Sequence, residues 1–108
     1  MQKKLNWEAY TGSERNKVID EVKELITIND GYIINFNMFS DLSISISIEI
    51  AEKQIQKLHS AFSSIMSISD FEKEELSLNS SKECIIFLYI SFSSGNEELK
   101  REIPVVTA

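Results

Sequence analysis

The sequence is poor in the residues on which small proteins build chemistry. Its single cysteine, Cys84, has no partner for a disulfide within the chain. A lone thiol at the head of an apolar run fits a reducing compartment, so the expected location is cytoplasmic. One histidine, His59, and one cysteine supply no convergent set of nitrogen and sulfur donors for a metal. His59 follows Leu58 on a helical pattern and reads as boundary packing. The acidic run Glu72, Glu74 and Glu75 lacks the alternating ligands and the glycine of a calcium loop, so it reads as a solvated face. With three glycines there is no G-x-x-x-x-G-K-[ST] or G-x-G-x-x-G run to cradle a phosphate. No serine stands in a G-x-S-x-G elbow or an S-x-x-K pair, so an enzyme is not expected, and neither is a cofactor.

Positive charge is also scarce. Eleven Lys+Arg against 17 Asp+Glu give a formal net charge of -6, with no basic cluster, which repels nucleic acid and anionic lipid. No apolar run approaches the length of a bilayer span, and MQKKLNWEAY has no apolar h-region, so a soluble protein without a membrane association is expected. The 108 residues suit one domain, 1–108, without low-complexity linker or repeat.

What the sequence does have is alternation. In Gly31–Ile50, GYIINFNMFSDLSISISIEI, the residues Leu42, Ile44, Ile46, Ile48 and Ile50 share one strand face and Ser43, Ser45, Ser47 and Glu49 the other. The preceding run sets Tyr32, Ile34, Phe36 and Met38 against Ile33, Asn35 and Asn37. The short break Phe39-Ser40-Asp41 makes the pair a hairpin whose inner face needs a cover of helices. Leu5, Trp7 and Ala9 alternate with Asn6, Glu8 and Tyr10 as a first strand. Val18, Val22, Leu25 and Ile26 form the stripe of one helix, started by a cap at Thr11 or Ser13 and stopped by Asn29-Asp30-Gly31. Ile55, Leu58, Phe62, Ile65 and Met66 form the stripe of a second helix, with Glu52, Lys53, Gln54 and Lys57 outside. CIIFLYISFS, Cys84–Ser93, is apolar on both faces.

Strands are therefore expected near 4–10, 31–39, 42–50 and 84–93, and helices near 13–28 and 51–66. An irregular connector over 70–83 with an exposed strand at Glu75–Leu78 and an edge strand near 98–106, marked by Pro104, complete the chain. This order is that of an α+β, ferredoxin-like split β-α-β sandwich, an antiparallel sheet with two helices on one face and an extra C-terminal edge strand.

One loop hints at a ligand. Tyr10-Thr11-Gly12-Ser13-Glu14-Arg15 runs off a strand into a helix, whose N-terminal N–H groups and dipole suit an anion. With the helix, the hairpin ending in SISISIEI and the second helix, this YTGSER segment resembles the ACT domain, over roughly residues 4–66. Thr11, Gly12 and Arg15 fall where that family has T-G-x-D-R-x-G, Glu14 replaces the aspartate, and Lys17 stands in place of the last glycine. The resemblance implies a regulatory module that binds an amino acid or other small anion between paired subunits. Its pocket would comprise Thr11, Gly12, Ser13, Glu14 and Arg15 with Asn35 or Asn37. The plainer reading of the same residues is a turn with a helix cap.

A second function class starts from Ile85, Phe87 and Tyr89. In a sheet covered on one side these three project from the open face and call for a cover. That cover is a second copy of the chain, the C-terminal strand or the 70–83 connector. A homo-oligomer, or an acidic interaction module or inhibitor of a basic protein partner with no small ligand, follows from this face and the charge.

Overall fold

The computed structural model describes residues 2–71 and 76–93. They form strands β1 (Lys4–Thr11), β2 (Tyr32–Ser40), β3 (Ser43–Ala51), β4 (Ser67–Ile68) and β5 (Glu83–Phe92), with helices α1 (Arg15–Ile28) and α2 (Ile55–Ser63). The fold is α+β with one five-stranded sheet in the order β2-β3-β5-β1-β4. β5 runs antiparallel to β3 and parallel to β1, so the sheet is mixed and the expectation of a purely antiparallel one is corrected. The central place of β5, paired on both edges and covered on one face, accounts for its buried residues Cys84, Ile86, Leu88 and Ile90.

Residues opposite each other across a ladder share a face. Trp7 pairs with Leu88, Ile46 with Leu88 and Phe36 with Ile46, and this row faces the helices. Ile44, Ile46, Ile48 and Ile50 are fully buried there together with Ile86, Leu88 and Ile90. Val18, Ile19, Val22 and Ile26 of α1 and Ile55, Leu58 and Phe62 of α2 close over them in one core. Each such side chain, fully buried, contributes roughly 1.5–3 kcal/mol.

The ladder of β2 with β3 is interrupted at two places, after Ile33 and after Met38. The register slips between Ile33 and Asn35, a bulge that leaves Ile34 out of the ladder. Ile33 is then opposite buried Ile48, and Tyr32 is opposite Glu49 on the other face. The sequence pattern put these two residues the other way round, because a bulge reverses the faces on one side of it.

Helix ends differ from expectation too. Glu14, not Thr11 or Ser13, is the N-cap of α1: its carboxylate accepts from Asn16 N at 2.9 Å and Lys17 N at 3.0 Å. Thr11 is buried in β1, and its Oγ1 accepts from Ser13 N at 3.1 Å. At the C-terminus Gly31 N donates to Ile26 O at 2.8 Å and Asp30 N to Thr27 O at 3.0 Å, with Asp30 in the left-handed region at φ 64°. This is a Schellman stop in which aspartate takes the position glycine usually fills. Gly31 sits in a tight place: a Cβ there would meet Ile26 Cγ2 at 3.0 Å and Ile26 O at 3.3 Å.

The second helix is shorter than 51–66. It is preceded by a 3-10 turn, Glu52–Gln54, and Glu52 is buried instead of facing solvent. Its carboxylate accepts from Lys3 Nζ at 3.1 Å and Ser77 N at 2.9 Å, while Glu52 N and Lys53 N donate to Lys82 O and Ser80 O. The connector is thus tied to the end of β3. Its described residues 76–82 contain no strand. The expected strand at Glu75–Leu78 is replaced by β4, which pairs Ile68 with Ala9 and Ser67 with Tyr10. The edge strand expected near 98–106 lies outside the described residues.

Candidate functional site

Two places carried expectations, and the fold sets them apart. The first is the turn from β1 into α1. Gly12 and Ser13 are exposed there, and Ser93 N donates to Thr11 O at 3.1 Å across the turn. The two N–H groups that an incoming carboxylate would use are already held by Glu14. These two bonds, Asn16 first, hold the Glu14 carboxyl below the usual carboxylate range. Arg15 is engaged as well: its guanidinium lies 3.1 Å from Asp41 and 3.8 Å from Met38 Sδ, both of which belong to the β2–β3 hairpin. Asn35 and Asn37 are opposite Ser47 and Ser45, on the sheet face away from the helices. The residues of the ACT-like set thus divide into a capped turn and an open-face pair, with the sheet between Arg15 and the two asparagines.

The second place is the open face itself. Ile85, Phe87 and Tyr89 run down the central strand on this side, Phe87 and Tyr89 each 40% exposed and Ile85 half-buried. Phe87 stands between Ser47 and Asn6, and Tyr89 between Ser45 and Glu8. Ser43, Ser45 and Ser47 therefore serve as a low polar floor beside the rings. The exposed Phe39 leans toward Tyr89 with ring centroids 6.3 Å apart, and the exposed Tyr10 lies on the same face opposite Ser91. A shallow cleft of about 430 Å³ is lined by Glu8, Tyr10, Ser67, Ser69, Tyr89 and Ser91. A larger depression, about 680 Å³, lies outside α2 among Lys53, Gln54, Gln56, Lys57, Ser60 and Leu78; it touches none of the expected site residues.

The charges around the aromatic stripe are mostly negative. Glu8, Glu49 and Glu83 share the open face with Lys4, and Gln2 donates to Glu49 at 3.3 Å. Glu8 and Phe39 belong to this surface although sequence reasoning gave them no part in it. The β1 alternation did place Glu8 with Tyr10, but nothing in the sequence said that β1 would lie beside β5.

His59 is buried, not at the surface. Its Nε2 lies 2.7 Å from the Ser69 carbonyl, an acceptor, so Nε2 carries the proton. Its ring packs edge-on to Trp7 at 5.0 Å and Phe71 at 4.7 Å. Trp7 Nε1 is buried without a hydrogen-bond partner. Through Phe71 and the Ser69 carbonyl the cluster ties the chain after β4 to the core. Burial pushes the Cys84 thiol up, away from a reactive thiolate. Among the described residues no group of three or more His, Cys, Asp or Glu could hold a metal ion, and no helix is long and apolar enough to cross a membrane.

Comparison with protein-family models, with curated proteins and with solved structures gives no match for this chain.

Proposed function

We propose that the protein is a non-enzymatic interaction module that docks a basic protein partner on the open face of its sheet. The observation that carries this reading is the exposed stripe of Phe87 and Tyr89, joined by Phe39 and Tyr10 and bordered by Glu8, Glu49 and Glu83. Aromatic faces and carboxylates together suit arginine and lysine side chains, through cation–π contact and charge pairing. The same carboxylates repel phosphate, which argues against nucleic acid. The buried thiol of Cys84 suits the reducing cytoplasm.

The test is a titration with an arginine-rich peptide and with a peptide of the same length carrying glutamate at each arginine position, read at the ring resonances of Phe87 and Tyr89. The arginine peptide shifts both rings, and added salt weakens the effect. Equal response to the glutamate peptide, or shifts confined to α1 and α2, would contradict the proposal.

A second reading is a ferredoxin-like, ACT-like amino-acid sensor. It is favoured by the strand order: with β5 set aside, β2-β3-β1-β4 is the split β-α-β order, and β5 reads as an insertion at its centre. It is also favoured by the Thr11-Gly12-Ser13 turn leading into α1. Against it stands the Glu14 carboxylate, which occupies the N–H groups a ligand would need. A thermal-shift screen of the twenty amino acids decides between the two. A shift that disappears in Arg15→Ala would establish the sensor, and no shift leaves the interaction module.

A further inference from the structure

We propose that a second copy of this chain pairs with the outer edge of β2, antiparallel and about a two-fold axis, to make one sheet continuous across a dimer. β2 is an edge strand nine residues long, and no described strand covers its outer side. Edge strands of stable monomers are usually short, charged or interrupted by proline. β2 reads YIINFNMFS, without a charge or a proline; its two register slips flank a regular stretch, 35–38, and Tyr32, Ile34, Met38 and Phe39 are each at least half exposed. On the other side β4, two residues long, pairs only with Ala9 and Tyr10 of β1, and the rest of that edge carries the charged Lys4 and Glu8.

Charge and register identify the occupant. A chain of net charge -6 repels its own copies across most of its surface, and a basic partner would be drawn to an acidic edge. An uncharged strand is where two acidic copies can meet without charge repulsion. At the hairpin end the nearest acid, Asp41, is already neutralised by Arg15 at 3.1 Å. The sequence of β2 also suits antiparallel pairing with itself. An axis through Phe36 sets Asn35 opposite Asn37 of the second copy, both on the open face, and Phe36 opposite its equivalent on the helix face. An amide pair of this kind can both donate and accept. Within one chain Asn35 Oδ1 accepts from Phe36 N at 2.9 Å, a local bond that pairing at Phe36 has to exchange for one across the axis. The Phe36 rings, each under the Lys23 ammonium at 5.4 Å, would abut beneath.

This inference rests on the strand edge and stands apart from the docking role proposed for the face. Pairing through β2 leaves Phe87 and Tyr89 of both copies on the same side of one ten-stranded sheet, free for a partner.

Sedimentation of the full chain over a range of concentrations, with Asn35→Lys and Asn37→Lys variants, tests it. Both positions are exposed, so lysine there blocks the edge without disturbing the core. The expected result is a dimer at tens of micromolar that becomes monomeric in each variant with the far-ultraviolet dichroism unchanged. Hydrogen exchange of amides 32–40 should slow as concentration rises. A monomer at every concentration overturns the proposal. So does a dimer that survives both lysines, or one abolished instead by Phe87→Ser, which would put the interface on the open face. Protection of 32–40 that does not depend on concentration would assign the edge to the chain's own C-terminal segment and overturn it equally.

Discussion

The two faces of the sheet are made by the same strands, and they end in opposite environments. Along β3 the isoleucines are fully buried while the alternating serines are half-buried beside solvent. Along β5, Leu88 is fully buried and its neighbours Phe87 and Tyr89 are 40% exposed. The contrast separates two reasons for a residue to be hydrophobic. On the helix face apolar side chains hold the fold together. On the open face large rings stand on a floor of serine and asparagine where folding alone does not call for them, which is where an interaction surface is to be sought.

The largest effect expected from this comparison comes from placing the same charge on each face. Ile46→Asp buries an unpaired carboxylate in the core and costs more than about 4 kcal/mol, enough to abolish cooperative unfolding in a marginally stable domain. Ser45→Asp, one residue away on the open face, changes stability by less than about 1 kcal/mol. Chemical denaturation of the two variants checks the pair, and similar losses in both would erase the distinction between the faces.

Adjacent residues of β5 sharpen it. Leu88→Ala leaves a cavity under the helices and costs about 2–5 kcal/mol. Phe87→Ser removes a ring that is bordered by Ser47 and Asn6 and costs less than about 1 kcal/mol. A large loss in Phe87→Ser in a monomeric sample would mean that the ring is covered from within the chain.

A smaller effect belongs to the carboxylates. The Ser77 N–H and then the Lys3 ammonium hold the Glu52 carboxyl below its ordinary range, as backbone N–H groups do for Glu14. For both groups the folded pKa lies below the unfolded one, so their contribution is present above the ordinary carboxylate range and is lost as pH falls through the lowered folded values. Glu52→Gln should lower Tm at neutral pH, speed hydrogen exchange in residues 76–82 and flatten the acid limb of the stability curve. An unchanged acid limb would remove Glu52 from the account.

The sequence made the hairpin, both helices and the run 84–93 legible, because in each the apolar period matches an element that is covered on one side. It did not disclose that β5 enters the middle of the sheet. The neighbours of a strand are set by long-range pairing, and Lys4–Thr11 against Ile85–Phe92 leaves no local pattern. The Tyr32 and Ile33 faces were misread because a bulge has no reliable sequence mark when no glycine signals it. Glu52 was read as solvated since helical spacing alone cannot tell that Lys3, Ser77 and Lys82 converge on the end of β3. In the candidate site the aromatic stripe was legible from the doubly apolar run. The capping role of Glu14 was not, because serine and threonine beside it are the stronger formers of caps.

The most direct test of the account is side-chain accessibility to a small neutral paramagnetic probe, read by NMR on dilute protein. The rings of Phe87, Tyr89 and Phe39 should broaden strongly while the methyl groups of Ile46, Ile48 and Leu88 do not. Phe87 and Tyr89 as protected as Ile46 would contradict it, since the open face would then be a second core and not a surface for a partner.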